Sequence, residues 1–397
     1  MTLLEKKTIR KTCLSSVVVI GCGFVVGLGS IPNYESSNNQ GYFESNSGSS
    51  SSSSTVFVST VLIAHVLSFL VLRLVVAPSP LKEFCLIQIS LCTYFIGLLI
   101  WWFFRSTTIV VHVVADILGG VSLVILSLAV PLYIATRKRK GVLICVYFFG
   151  KNLLLYLPFS FSKKKDSILL TISIFFIILA SVLSCRFLSS SSKSKLKSSY
   201  ESSSFSHKGR EECPHFKSNI RSVIILCWAS ISNNYIIFYQ APKLFEYFVT
   251  PLSARTVLLN IVLSIVIPLF SMLPSVFVDT TSRAALTYLG SVIVLCYASL
   301  MACAIHLQDR LESNSLKSAI PLSLWMFQTA LSTSIAPIIY LQGLKEQSYR
   351  YLTVSVGSFC YWSVRVMLPT ISVLPLMLVF GSTGLLCLMF CVSYVAI

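Results

Sequence analysis

Long apolar runs, not alternating or amphipathic stripes, dominate the chain, and polar residues gather between them. A run of about 20 apolar residues crosses a bilayer as a helix, whereas a barrel strand needs about half that. In lipid every backbone N–H and C=O must be paired internally, so runs of this length predict helices. About twelve spans follow. The first six are residues 13–31, 56–76, 84–104, 108–133, 141–160 and 167–188; the second six are 222–248, 253–277, 284–306, 318–341, 350–372 and 374–396. The expected fold class is an all-α membrane protein with two six-helix bundles. The N-terminal run follows Lys6, Lys7, Arg10 and Lys11 and reads as the first span rather than a removed leader.

Two hydrophilic segments break the pattern. Residues 32–55 hold the serine run 49–54 and no Lys or Arg, a composition for a flexible loop. Residues 189–219 carry Lys193, Lys195, Lys197, Lys208, Arg210 and Lys217. The chain therefore divides into an N-terminal bundle (1–188), a basic cytoplasmic linker (189–219) and a C-terminal bundle (220–397).

Composition agrees with burial in lipid: 55% of residues are hydrophobic and 11% charged, against about 25% charged in ordinary soluble chains. The net charge of +17 does not point to nucleic acid, because the basic residues collect in loops, as in Arg137–Lys140. The positive-inside rule then puts both termini and the 189–219 linker in the cytoplasm. Lys163, Lys164 and Lys165 run against it, on the expected outer side. Most of the 13 cysteines lie within apolar runs and behave as small hydrophobes. No Cys-x-x-Cys pair exists, and His65, His112 and His306 have no second ligand at helical spacing, so no metal is expected. No catalytic constellation and no phosphate-cradling glycine loop occur, so neither an enzyme nor ATP-driven transport is expected, and no cofactor.

Several stretches, in order and on the expected spans, carry a family resemblance. Ala115–Gly120 (Ala-Asp-Ile-Leu-Gly-Gly), Val130–Ala135 (Val-Pro-Leu-Tyr-Ile-Ala) and Lys140-Gly141 cover spans four and five. Tyr239–Glu246 (Tyr-Gln-Ala-Pro-Lys-Leu-Phe-Glu) lies on span seven. Phe277–Gly290 joins spans eight and nine with Asp279, Arg283 and Gly290. Ala336-Pro337, Arg350 and Trp362 complete the set. Over residues 108–396 the chain resembles the sugar porter family of the major facilitator superfamily. Asp116 stands where the family has Arg, Thr136 where it has Glu, and Ser282 where it has Gly.

The resemblance implies alternating-access movement of a small polar solute, a sugar, through a monomeric carrier of the plasma membrane bilayer. Its solute contacts fall here on Phe148, Asn233 or Asn234, Tyr340, Tyr361 and Trp362, and its inner-side gate on Asp279, Arg283 and Arg350. Phe148 stands in place of a Gln, Tyr340 of a Trp and Tyr361 of an Asn. These replacements keep a second class of function open: a carrier-like protein that binds or senses without transport. The first span holds no carboxylate, which favours a uniporter, while Asp116 keeps proton symport open. Of the charges within spans, Lys243 lies near an outer end beside Glu246 and snorkels, whereas Asp116, Lys151 and Arg365 are candidates for a role inside. They form either an anion-friendly cavity between the bundles or a structural ion pair, since an intramembrane charge is costly without a role.

Overall fold

The computed structural model describes residues 3–29, 80–104, 109–135, 137, 139–156, 172, 174–183, 265–276 and 278, with single helical residues at 292, 296, 300, 303, 323, 337, 338 and 359. Spans 56–76, 222–248, 350–372 and 374–396, the 32–55 and 189–219 segments and nearly all of spans nine and ten lie outside the described residues, single residues apart.

The described residues form helices. Helix α1 runs Leu3–Gly29, α2 Pro80–Phe103, α3 Ile109–Ala135 and α4 Lys140–Tyr156. A short apolar helix, α5, covers Ile174–Leu183. Helix α6, Ile267–Met272, tightens into a 3-10 turn at Leu273–Val276. They fall on predicted spans one, three, four, five, six and eight, and differ at their ends. α1 begins ten residues before the predicted span at 13, because Leu, Glu, Lys and Arg are good helix formers whether or not lipid surrounds them. α2 begins at Pro80, where a missing N–H costs nothing in the first turn.

Within α3, Val113–Ala135 is long and apolar enough to cross a membrane, with a mean hydropathy of 2.4. Large apolar side chains stand exposed in stripes at helical spacing: Ile89 and Ile96 on α2, Phe175, Ile178 and Val182 on α5, and Ile265, Leu269, Leu273 and Val276 along α6 and its flanking turns. The opposite face of α2 (Phe84, Ile87, Leu91, Tyr94) is buried. Faces that are apolar both inside and out belong to helices solvated by lipid.

Among the described helices the most extensive contacts are α2 with α3 and α1 with α4. α2 and α3 run antiparallel: the Phe84 ring meets the Tyr133 ring at one end, and Gly97 meets Ala115 and Gly119 at the other. α1 and α5 are also antiparallel, with Gly21 against Ala180 and the Phe24 ring tilted against that of Phe176, centroids 4.3 Å apart. Lipid gives no hydrophobic drive for helices to associate, so close backbone approach supplies the attraction. The α1–α4 crossing is the closest case. A Cβ on Gly23 would stand 2.5 Å from the Tyr147 carbonyl oxygen, and one on Gly150 would stand 2.7 Å from that of Ile20.

α4 is buried almost all round, as a central helix must be. α1 covers one side of it and α6, with its 3-10 turn, packs on it as well.

Candidate functional site at the centre of α4

Phe148, Lys151 and Asn152 are spaced i, i+3 and i+4, which places them on one face of α4. All three are buried, at 2%, 5% and 1% exposure. Lys151 lies about 17 Å along the helix from Lys140, near the middle of a ~30 Å hydrocarbon core. Its ammonium does not reach for an interface: Nζ sits 5.6 Å from the centroid of the Phe148 ring, one turn back. A helical side chain leans toward the N-terminus, which brings residue i+3 over residue i. A cation within about 6 Å of a ring face is attracted by its quadrupole, worth about 2 kcal/mol when desolvated. Burying the charge costs several kcal/mol. The ring therefore orients Lys151 and offsets part of that cost.

Asn152 Nδ2 has no hydrogen-bond partner among the described residues, although wholly buried. Hydroxyls elsewhere in the spans behave differently. Thr93 donates to the Ile89 carbonyl at 2.9 Å, Ser122 to those of Leu118 and Gly119 at 2.8 Å, and Ser127 to that of Val124 at 2.8 Å. Own-helix carbonyls absorb such hydroxyls and leave them little to offer a solute. Ser90 Oγ on α2 is a second buried polar atom without a partner among the described residues.

A second cluster ties helices together where α3 ends and α4 begins. Tyr133, fully buried, brings its hydroxyl 3.5 Å from Ser15 Oγ on α1. Its ring faces Phe84 of α2 at 6.1 Å and carries the Arg137 guanidinium at 4.4 Å. The middle of α1 (Ser15), the start of α2 (Phe84) and the end of α3 (Tyr133) thus meet at one level, beside Arg137 in the turn that leads into α4.

Of the residues expected from sequence to touch solute, Phe148 is described and lies beside Lys151. Asn233, Asn234, Tyr340, Tyr361 and Trp362 lie outside the described residues, as do Asp279, Arg283, Arg350 and Arg365. Asp116 lies on α3. Pro337 and Ile338, next to Tyr340, are helical and buried. Two features were missed by sequence reasoning. Asn152 could have been found from its i+4 spacing to Phe148, and the Tyr133–Arg137 contact from the same spacing. Among the described residues no group of three or more His, Cys, Asp or Glu is placed to hold a metal.

The whole chain has the shape of known carriers. Its fold is similar to that of the major facilitator proton:xylose symporter XylE bound to 6-bromo-6-deoxy-D-glucose: TM-score 0.65, 13% identity, covering 98% of this chain and 95% of the other. A D-xylose-proton symporter structure gives 0.59 at 15% identity, covering 98% and 97%. The inward-open xylose transporter XylE from E. coli gives 0.58 at 14% identity, covering 96% and 95%. No curated protein matches the sequence significantly. The model of the family described as "Sugar (and other) transporter" matches residues 189–397, just over half of the chain. With an all-α major facilitator fold along its length and that family's pattern across its second part, the chain belongs to the sugar (and other) transporter family.

Proposed function

We propose that the protein is a facilitative carrier that moves a small polar solute of the sugar class across a membrane by alternating access. The observation that carries the reading is the placement of Phe148, Lys151 and Asn152: buried polar chemistry at mid-membrane depth, on a central helix packed by both α1 and α6. In the proposed division into bundles 1–188 and 220–397, α4 belongs to the first and α6 to the second. A solute held at their contact is exposed to one side or the other as the bundles rock. The solved relatives carry xylose in their names, which supports a sugar.

The rest of the site is part of the same proposal. Asn233 or Asn234, Tyr340, Tyr361 and Trp362 complete the solute contacts from the second bundle, with Asp116 and Arg365 as further intramembrane charges. Asp279, Arg283 and Arg350 close the inner side through charge-assisted bonds between helix ends. The protein works as a monomer in the plasma membrane bilayer with both termini cytoplasmic. The basic run Arg137–Lys140 between α3 and α4 supports that orientation.

The test is uptake of a panel of labelled pentoses, hexoses and their acidic derivatives by proteoliposomes holding the purified protein. Saturable equilibration of one solute class is expected. Saturable binding with no flux of any panel member would favour the sensor reading, which the replacement at Phe148 keeps in view.

A further inference from the structure

We propose that the end of α6 nearest the proposed inner gate is a hinge that works by changing helical pitch, with Pro274 as its positioning residue. The inference rests on the carrier reading, since what the hinge turns is that gate. Three windings follow one another here. Ile265 and Val266 are π-helical, Ile267–Met272 is α-helical and Leu273–Val276 is 3-10. A membrane-spanning helix tolerates proline where local π or 3-10 winding re-pairs the freed backbone groups. A 3-10 stretch within a helix often marks a hinge. Pro268 opens the α-helical part, directly after the π residues. Pro274 has no N–H for the Phe270 carbonyl, its partner in an α pattern. The Leu273 N–H donates to that carbonyl instead, three residues on rather than four. Ser271 adds to the bend by donating from Oγ to the Pro268 carbonyl. Past the turn the Val278 N–H donates to the Pro274 carbonyl at 2.9 Å, an α-type bond again.

Pro274 brings two windings of Leu273–Val276 close in energy. An α form loses the bond from Leu273 to Phe270, with no N–H at 274 to replace it. The 3-10 form keeps that bond, in poorer geometry. The packing lets the segment turn. Ile267, Pro268, Ser271, Pro274 and Val278 are buried, and α6 and its 3-10 turn pack on α4, which the Gly23 and Gly150 approaches hold against α1. Ile265, Leu269, Leu273 and Val276 are exposed on the other side, where fluid lipid sets no register. A 3-10 helix has 3.0 residues per turn and a rise of about 2.0 Å, against 3.6 and 1.5 Å in an α-helix. Rewinding the four residues therefore turns the chain beyond them by ~80° and shifts it by ~2 Å. Asp279 and Arg283 come next in the sequence. A small change of winding on α4 is thus enough to make or break helix-end bonds at the gate, as hinges at element ends do.

The experiment compares the full chain with Pro274→Ala and Pro274→Val, each of which returns an N–H to position 274 and favours one continuous α winding. Backbone hydrogen exchange of the detergent-purified proteins is expected to be faster over residues 270–276 than over α4, and to slow about tenfold or more in both variants. In proteoliposomes both variants should exchange labelled D-xylose or D-glucose about fivefold or more slowly at saturation, with sugar binding within about threefold of wild type. Their unfolding midpoints should be no lower than wild type. A proline that served the fold alone would give the opposite pattern, a lower midpoint with sugar exchange lost only as folded protein is lost. Wild-type hydrogen exchange over 270–276 as slow as in α4, variants that exchange hydrogen as wild type does, or variants with wild-type sugar exchange would overturn the hinge. The expected hydrogen exchange with no movement of either sugar in wild type sustains the hinge and removes the sugar carrier.

Discussion

Gly23 of α1 and Gly150 of α4 each turn a bare Cα toward the other helix, and a methyl group on either would overlap a backbone carbonyl oxygen of the facing helix. Backbone cannot rotate away as a side chain can. Gly23→Ala and Gly150→Ala should therefore each force the helices apart and destabilise the protein by about 1–3 kcal/mol, the range for overpacking. Gly119 on α3 is the internal control, since a Cβ there meets nothing within 4 Å. Gly119→Ala should be neutral or stabilise by about 0.5–1 kcal/mol, as a helical Gly-to-Ala change does. Thermal unfolding of detergent-purified variants checks all three; equal behaviour of Gly23→Ala and Gly119→Ala would contradict the crossing.

The Tyr133 cluster should hold α1, α2 and α3 together with unequal parts. Tyr133→Phe loses the long 3.5 Å hydrogen bond to Ser15, and membrane-buried bonds average about 0.6 kcal/mol. Arg137→Gln loses the cation over the ring, about 0.5–1 kcal/mol. Tyr133→Ala removes a fully buried ring that also meets Phe84, for about 3–5 kcal/mol. Unfolding midpoints should fall in that order. A double-mutant cycle between Arg137→Gln and Tyr133→Leu should give a coupling well above zero.

How much of this was legible in the sequence depends on what hydropathy measures. It reports lipid, so spans one, three, four, five, six and eight appeared in the right places. It was silent about the first turns of α1, which are helical but polar. It also could not divide one face from another, because Ile89 toward lipid and Ile87 in the core are the same residue in the same run. Lys151 stood out as a charge inside a span. Asn152 did not, because one amide hardly changes a window average; only the i, i+3, i+4 geometry joins it to Phe148 and Lys151. Gly23 and Gly150 gave no sign of being partners, since helix pairing across more than a hundred residues leaves no local pattern.

The proposed topology makes the 189–219 linker cytoplasmic. A cysteine introduced at Ser198 should stay unlabelled by an impermeant maleimide applied to intact cells, and become labelled once the membrane is opened. Efficient labelling from outside would reverse the orientation and with it the inner placement of Arg137–Lys140.

The proposed inner gate predicts a kinetic phenotype without a folding one. Asp279→Asn and Arg283→Gln should each slow or unbalance flux at normal surface expression. If the two residues act as a unit, the double variant should be no worse than the poorer single one. Uptake with wild-type kinetics in all three would make these charges topological anchors only.

Counterflow tests the carrier most directly. Proteoliposomes are preloaded with an excess of unlabelled solute, diluted into a trace of the labelled form, and followed without any imposed proton gradient. An alternating-access uniporter should draw label inward to a transient overshoot that decays as the unlabelled pool runs down, and Lys151→Gln should lower the overshoot. Label that never rises above the level in protein-free vesicles, for every solute the purified protein binds, would contradict the account.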